Sequence, residues 1–102
     1  MLYIQKMTDE IVDAYQWFKD GDHPNDEAML LPNGNMSEGK VVGFYRKVDD
    51  EARRCAACGR AMYEHGMLNN TQVCPGFWVL TKEDGTYEAC GDKFFKKLYK
   101  RV

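Results

Sequence analysis

No apolar run in this chain approaches the roughly 20 residues that a membrane-spanning helix needs, which excludes helical membrane proteins. No internal repeat or low-complexity segment is present, which excludes repeat architectures. Positive charge is in deficit: 14 Lys and Arg stand against 16 Asp and Glu, a net charge of -2. That balance argues against a general nucleic-acid clamp, which needs a basic surface. There is no Ser/His/Asp order, no pair of catalytic carboxylates and no Gly-rich phosphate cradle, so no familiar catalytic constellation is present and the expectation is a protein that is not an enzyme. Met1-Leu2-Tyr3-Ile4 carries no secretory signal, so a reducing cytoplasm, where structural disulfides are rare, is the expected compartment. At 102 residues the chain is expected to form a single domain, 1–102, with one modest core. Its aromatic content of 13% suits a small core of large side chains reinforced by a metal.

What the chain does have is four cysteines (Cys55, Cys58, Cys74, Cys90) and two histidines (His23, His65). The organising stretch is Cys55-Ala56-Ala57-Cys58-Gly59-Arg60, followed by His65-Gly66 and Cys74-Pro75-Gly76. Two thiolates separated by two residues can grip one tetrahedral ion, and a Gly after the second lets the backbone turn its amides toward the sulfurs. His65 and Cys74 follow closely enough to complete a set of three thiolates and one imidazole, and Zn2+ is the ion that suits such a cage. An all-thiolate set that uses Cys90 in place of His65 is the rival, and His23 is a further candidate ligand. Cys90 lies in a tyrosine-flanked strand, where a buried thiol is an ordinary core choice. A redox pair at Cys55 and Cys58 lacks the βαβ context such motifs need. Four protein ligands leave no position for water, so the expected zinc is structural.

Along the chain, residues 8–18 read two ways. Thr8 can cap a helix whose face is Ile11, Val12, Tyr15 and Phe18, ended by Gly21; the same residues alternate as a strand. Propensity leans to the helix. Residues 19–27 form a polar turn around His23, and residues 28–39 a loop in which Asn33-Gly34 signals a hairpin turn. Residues 40–48 predict a strand, Asp49-Asp50-Glu51 an acidic turn, and Arg53-Arg54 a basic pair before Cys55. Residues 77–81 and 86–90 predict a hairpin about Asp84-Gly85. The tail predicts an amphipathic helix capped by Asp92, with Phe94, Phe95, Leu98 and Tyr99 on one face and Lys93, Lys96, Lys97, Lys100 and Arg101 on the other.

Four stretches carry a resemblance: Ala14-Tyr15-Gln16-Trp17-Phe18-Lys19-Asp20-Gly21-Asp22-His23-Pro24; residues 55–66 (CAACGRAMYEHG); Val73-Cys74-Pro75-Gly76-Phe77-Trp78-Val79-Leu80; and residues 87–94 (YEACGDKF). In their order and spacing the chain resembles a family of small proteins encoded by tailed bacteriophages and prophages. The resemblance implies a strand, not a helix, over residues 11–18. It implies that Cys90 belongs to the core and that Cys55, Cys58, His65 and Cys74 are the metal ligands. It lends no catalytic residue. The chain departs from the family at Phe77, where an Asp is usual, and at Gly91-Asp92-Lys93-Phe94-Phe95.

The resulting expectation is a small α+β domain. It consists of a mostly antiparallel sheet, a zinc knuckle at 55–74 inserted before a C-terminal hairpin, and a helix packed on the sheet, the last two within 77–101. The expected role is a non-enzymatic phage accessory protein that engages a host or phage protein in the bacterial cytoplasm, in host takeover or anti-defence. The alternative is nucleic-acid binding by the knuckle with Arg53, Arg54, Arg60 and the C-terminal lysines.

Overall fold

In the computed structural model, residues 1–45 and 54–102 are described. Two strands, β1 (Leu2–Gln5) and β2 (Ile11–Gln16), pair antiparallel across a turn in which the Gln5 side chain accepts the Thr8 N–H and Asp9 takes φ 59°. Thr8 is thus a turn residue and not a helix cap. The helix suggested by propensity is not formed. It would have buried Ile11 and Phe18, which are 42% and 53% exposed. The strand instead sends Val12 and Ala14 to one side, where both are buried, and the half-buried Tyr15 to the other.

Within residues 40–45, the described part of the expected strand over 40–48, β3 (Gly43–Phe44) forms. Before it, the N–H groups of Val41 and Val42 are taken by the Asp26 carboxylate at 2.9 and 3.0 Å, so they cannot enter a ladder. Residues 46–48, the Asp49-Asp50-Glu51 turn and Arg53 lie outside the described residues. β4 (Gly66–Leu68) and β5 (Thr71–Val73) follow as a hairpin that was not foreseen; Asn69 and Asn70 turn it with φ 51° and 64°, the conformation of a tight two-residue turn. β6 (Trp78–Thr81) and β7 (Tyr87–Cys90) form the expected hairpin, with Gly85 at φ 85°.

Helix α1 (Asp92–Leu98) is shorter than its pattern suggested. Its N-cap is Gly91, with no side-chain cap; Asp92 instead accepts the Trp78 indole N–H at 2.9 Å and pairs with Lys96. Phe95 is buried but Phe94 is 67% exposed, and Tyr99 already belongs to β8 (Tyr99–Arg101), which also carries Lys100. The extended φ and ψ at Tyr99 end the helix and turn the chain into the sheet, so the basic face is divided between a helix and an edge strand.

Five strands make one antiparallel sheet in the order β7-β6-β2-β1-β8, and β3-β4-β5 make a second. The register fixes two faces of the larger sheet. Val12, Ala14 and Leu80 point to the face covered by α1, where Phe95 stacks on Trp78 at 4.0 Å and meets Tyr3 edge-on at 4.9 Å. Burying Phe95 is worth about 2–3 kcal/mol, enough to hold a seven-residue helix that would not form alone. Val79, Tyr87 and Ala89 point to the opposite face and pack with Trp17, Val42, Leu68 and Val73 beneath the smaller sheet. The fold is a small α+β arrangement of mostly antiparallel sheets, with one helix near the C-terminus and a cysteine-rich cluster. No helix among the described residues is long and apolar enough to cross a membrane.

Candidate metal centre

The cluster is built from two short pieces of backbone. In the first, Gly59, at φ 77°, closes the turn after Cys55-Ala56-Ala57-Cys58: its N–H donates to the Cys55 carbonyl, and the Cys55 N–H donates to the Arg60 carbonyl, each at 2.8 Å. Only glycine adopts that φ without strain. Arg54 adds its guanidinium to the Gly59 carbonyl at 3.3 Å. A 3₁₀ turn, Met62–Glu64, then brings His65 back beside Cys58. In the second piece, Cys74 leaves β5 into a turn closed by the Phe77 N–H on its carbonyl, while the Gly76 N–H bonds the Trp17 carbonyl at 2.7 Å. The turn is thereby anchored to the core.

Cys55, Cys58, His65 and Cys74 each place one ligand atom so that all four lie within 4.8 Å of one another. The two sulfurs of Cys55 and Cys74 are 3.9 Å apart, far beyond a disulfide bond, and all four cysteines are free thiols. Two thiolates on a tetrahedral ion with ~2.3 Å bonds sit ~3.7 Å apart, close to that separation. Cys58 Sγ and His65 Nε2 are 3.2 Å apart. His65 Nδ1 lies 3.0 Å from the Ala61 carbonyl, which can only accept, so Nδ1 carries the proton and Nε2 presents its lone pair to the cluster. Cys55, His65 and Cys74 are buried, and Cys58 is exposed.

The electrostatics ask for a cation. Burial pushes the Cys55 thiol up, but the N–H groups of Cys58 and Ala57 and the Gln72 amide outweigh it and bring the value to about 6. Cys74 is pushed up to about 12, by burial first and by the neighbouring Cys55 and Cys58, with Gln72 opposing. The sulfurs of Cys55 and Cys74, 3.9 Å apart, oppose each other's ionisation, and a positive ion between them would relieve that. These four side chains are close enough to hold a metal ion, and the donor set fits one.

The sequence reading missed Gln72. Its amide donates to Cys55 Sγ at 3.2 Å and to Cys74 Sγ at 3.5 Å. The signal was its place two residues before Cys74, which puts both side chains on one face of an extended chain while Val73 enters the core. Cys90 is not in the cluster: it lies on the helix-covered face beside Val12, Leu80 and Phe95, and burial raises its thiol. His23 is elsewhere too, with its ring edge-on to Tyr15 and Tyr87. No family model, curated protein or solved structure matches the chain.

Proposed function

We propose that this protein is a zinc-stabilised accessory protein of a tailed phage, without catalytic activity, that acts as a protein-interaction module in the bacterial cytoplasm. The observation that carries the reading is the convergence of three thiols and one oriented imidazole, a set that closes a tetrahedral shell and leaves no position for a substrate. Zinc is the ion chosen by that donor set, and its contribution is to hold the knuckle against the smaller sheet. A host-takeover or anti-defence role follows from the resemblance to phage proteins, and a mildly acidic surface with exposed aromatics suits a protein partner better than a polyanion.

Native mass spectrometry tests the metal. The wild-type chain and Cys90→Ser are expected to carry one zinc each, removable by a chelator, and Cys58→Ser to carry none. Zinc retained by Cys58→Ser and lost from Cys90→Ser would require a different ligand set. Failure of affinity capture to recover any partner from phage-infected or uninfected lysate would remove the interaction reading.

One observation keeps a second reading in view. Phe94 is exposed between Lys93 and Lys97, and neither lysine has an ion pair among the described residues. An aromatic ring among cations can stack on an unpaired base. Salt-sensitive binding to a single-stranded oligonucleotide would support this reading, and its absence would end it.

A further inference from the structure

Three of the four ligand residues are buried, and the fourth, Cys58, is exposed. It lines a cleft of about 780 Å³ together with Pro75, Phe77, Lys93 and Phe94, ample for a small reagent. The three sulfurs also differ in the hydrogens aimed at them. Cys55 Sγ takes the N–H groups of Cys58 and Ala57 and the Gln72 amide at 3.2 Å, and Cys74 Sγ takes the same amide at 3.5 Å. The contact of Cys58 Sγ with His65 Nε2, at 3.2 Å, brings a lone pair instead, and no N–H among the described residues donates to this sulfur. A donated hydrogen draws on the electrons with which a thiolate attacks, and burial keeps reagents away. Both features concentrate the reactivity of the cage at Cys58. Bound Zn2+ keeps its sulfur ligands free of protons, so this residue presents a thiolate to the cleft side.

We propose that Cys58 is a modification site for hydroperoxides, singled out by its exposure and by the Gln72 amide that quiets its neighbours, and that its oxidation opens the cage. With hydrogen peroxide, Cys58 Sγ attacks one oxygen: the S–O bond forms, the O–O bond breaks, and the sulfur gives up two electrons, leaving a sulfenic acid and hydroxide. The thiolate of Cys55 or Cys74, each with its sulfur within 4.8 Å, then attacks Cys58 Sγ, forming an S–S bond and expelling a second hydroxide. Both hydroxides take protons from solvent and become water. One thiolate and His65 remain, two donors where a closed site needs four, so the metal is released. The modification is stoichiometric and asks for no turnover. The inference rests on the zinc reading above and adds a condition under which the knuckle is undone.

The test uses the zinc-loaded Cys90→Ser chain, in which the cage holds every remaining thiol. Limiting N-ethylmaleimide followed by peptide mapping is expected to label Cys58 before Cys55 and Cys74. Hydrogen peroxide is expected to release zinc to a colorimetric chelator and to leave Cys58 in a disulfide with Cys55 or Cys74. Cys58→His keeps four ligands without the exposed thiolate, and its zinc release is expected to be about ten-fold slower or more. Gln72→Leu removes the shared donor and is expected to spread the label to Cys55 and Cys74. First labelling of Cys55 or Cys74, a disulfide that omits Cys58, equal release from Cys58→His, or labelling that stays on Cys58 in Gln72→Leu would overturn the assignment. The mapping needs no cage variant, so it decides even if Cys58→His fails to fold. Native mass spectrometry before peroxide is added separates the two readings: a chain without zinc sinks both, and a chain that keeps its zinc under excess peroxide sinks only this one.

Discussion

His23 is only 2% exposed and stands between the rings of Tyr15 and Tyr87, with Nδ1 accepting the Asn25 N–H at 3.1 Å. Burial lowers its pKa, against an opposing pull from Asp26 and Asp13. As pH falls below the ordinary imidazole value of about 6.5, the unfolded chain takes up this proton before the folded one. Stability that is fully present above that pH is therefore lost in the window beneath it. Urea denaturation from about pH 7.5 to about pH 5 should show that slope, and His23→Asn, which keeps an acceptor near Nδ1, should flatten it. Equal slopes in the two proteins would place the acid sensitivity elsewhere. At this scale the cysteines and His65 were legible because their chemistry is written in local spacing. Gln72 was much less so. It is an ordinary polar residue in the chain, and its role arises from the two sulfurs that the fold sets beside it.

Between residues and sheets stands Gly66, the first residue of β4 and the one after His65. A methyl group there would lie 2.4 Å from Val42 Cγ1 and 3.0 Å from the Trp17 ring, both in the core. Gly66→Ala is expected to cost about 1–3 kcal/mol in denaturation experiments, as overpacking does. Because β4 must shift and His65 precedes it, metal affinity measured against a competing chelator should fall as well. Gly85→Ala, strained but remote from the knuckle, should cost stability and leave metal affinity unchanged. A Gly66→Ala protein with unaltered metal affinity would uncouple the strand from the ligand. The β6–β7 hairpin and α1 were readable because Asp84-Gly85 and the Phe95 periodicity are strong local signals. β1 and β8 were not, since each is short and Tyr99 continues the apolar stripe of the helix until the backbone turns away. The resemblance, rather than propensity, indicated the strand at β2, whose buried Val12 and Ala14 pack on Leu80 and Phe95, far off in sequence.

At the scale of the molecule, the fold class was legible and the layering was not, because the second layer brings Trp17 and Val42 together with Leu68 and Val73 of the smaller sheet, which are far apart in sequence. That layering leaves three clusters of buried side chains, one of them beneath the smaller sheet around Trp17, Val42, Leu68, Val73 and Val79. The one under α1, centred on Val12, Ala14, Leu80 and Phe95, contains no metal ligand; the cluster around Met62 contains Cys55 and Cys74. Chelation is thus expected to release amide protection in residues 55–74 while β1, β2, β6 and β8 stay protected, as hydrogen exchange read by mass spectrometry would report. Simultaneous loss of protection in all strands would mean one cooperative unit. The strand order has a further consequence for how the chain is made. β1 pairs on one side with its neighbour β2, but its other side waits for residues 99–101, and β2 waits for β6. A ribosome delivers the whole of 55–74 before either wait is over. Closing the short loops of the knuckle costs less entropy than joining the distant strands. During synthesis, the supply of metal at the tunnel mouth would then decide which part of the nascent protein first acquires a shape.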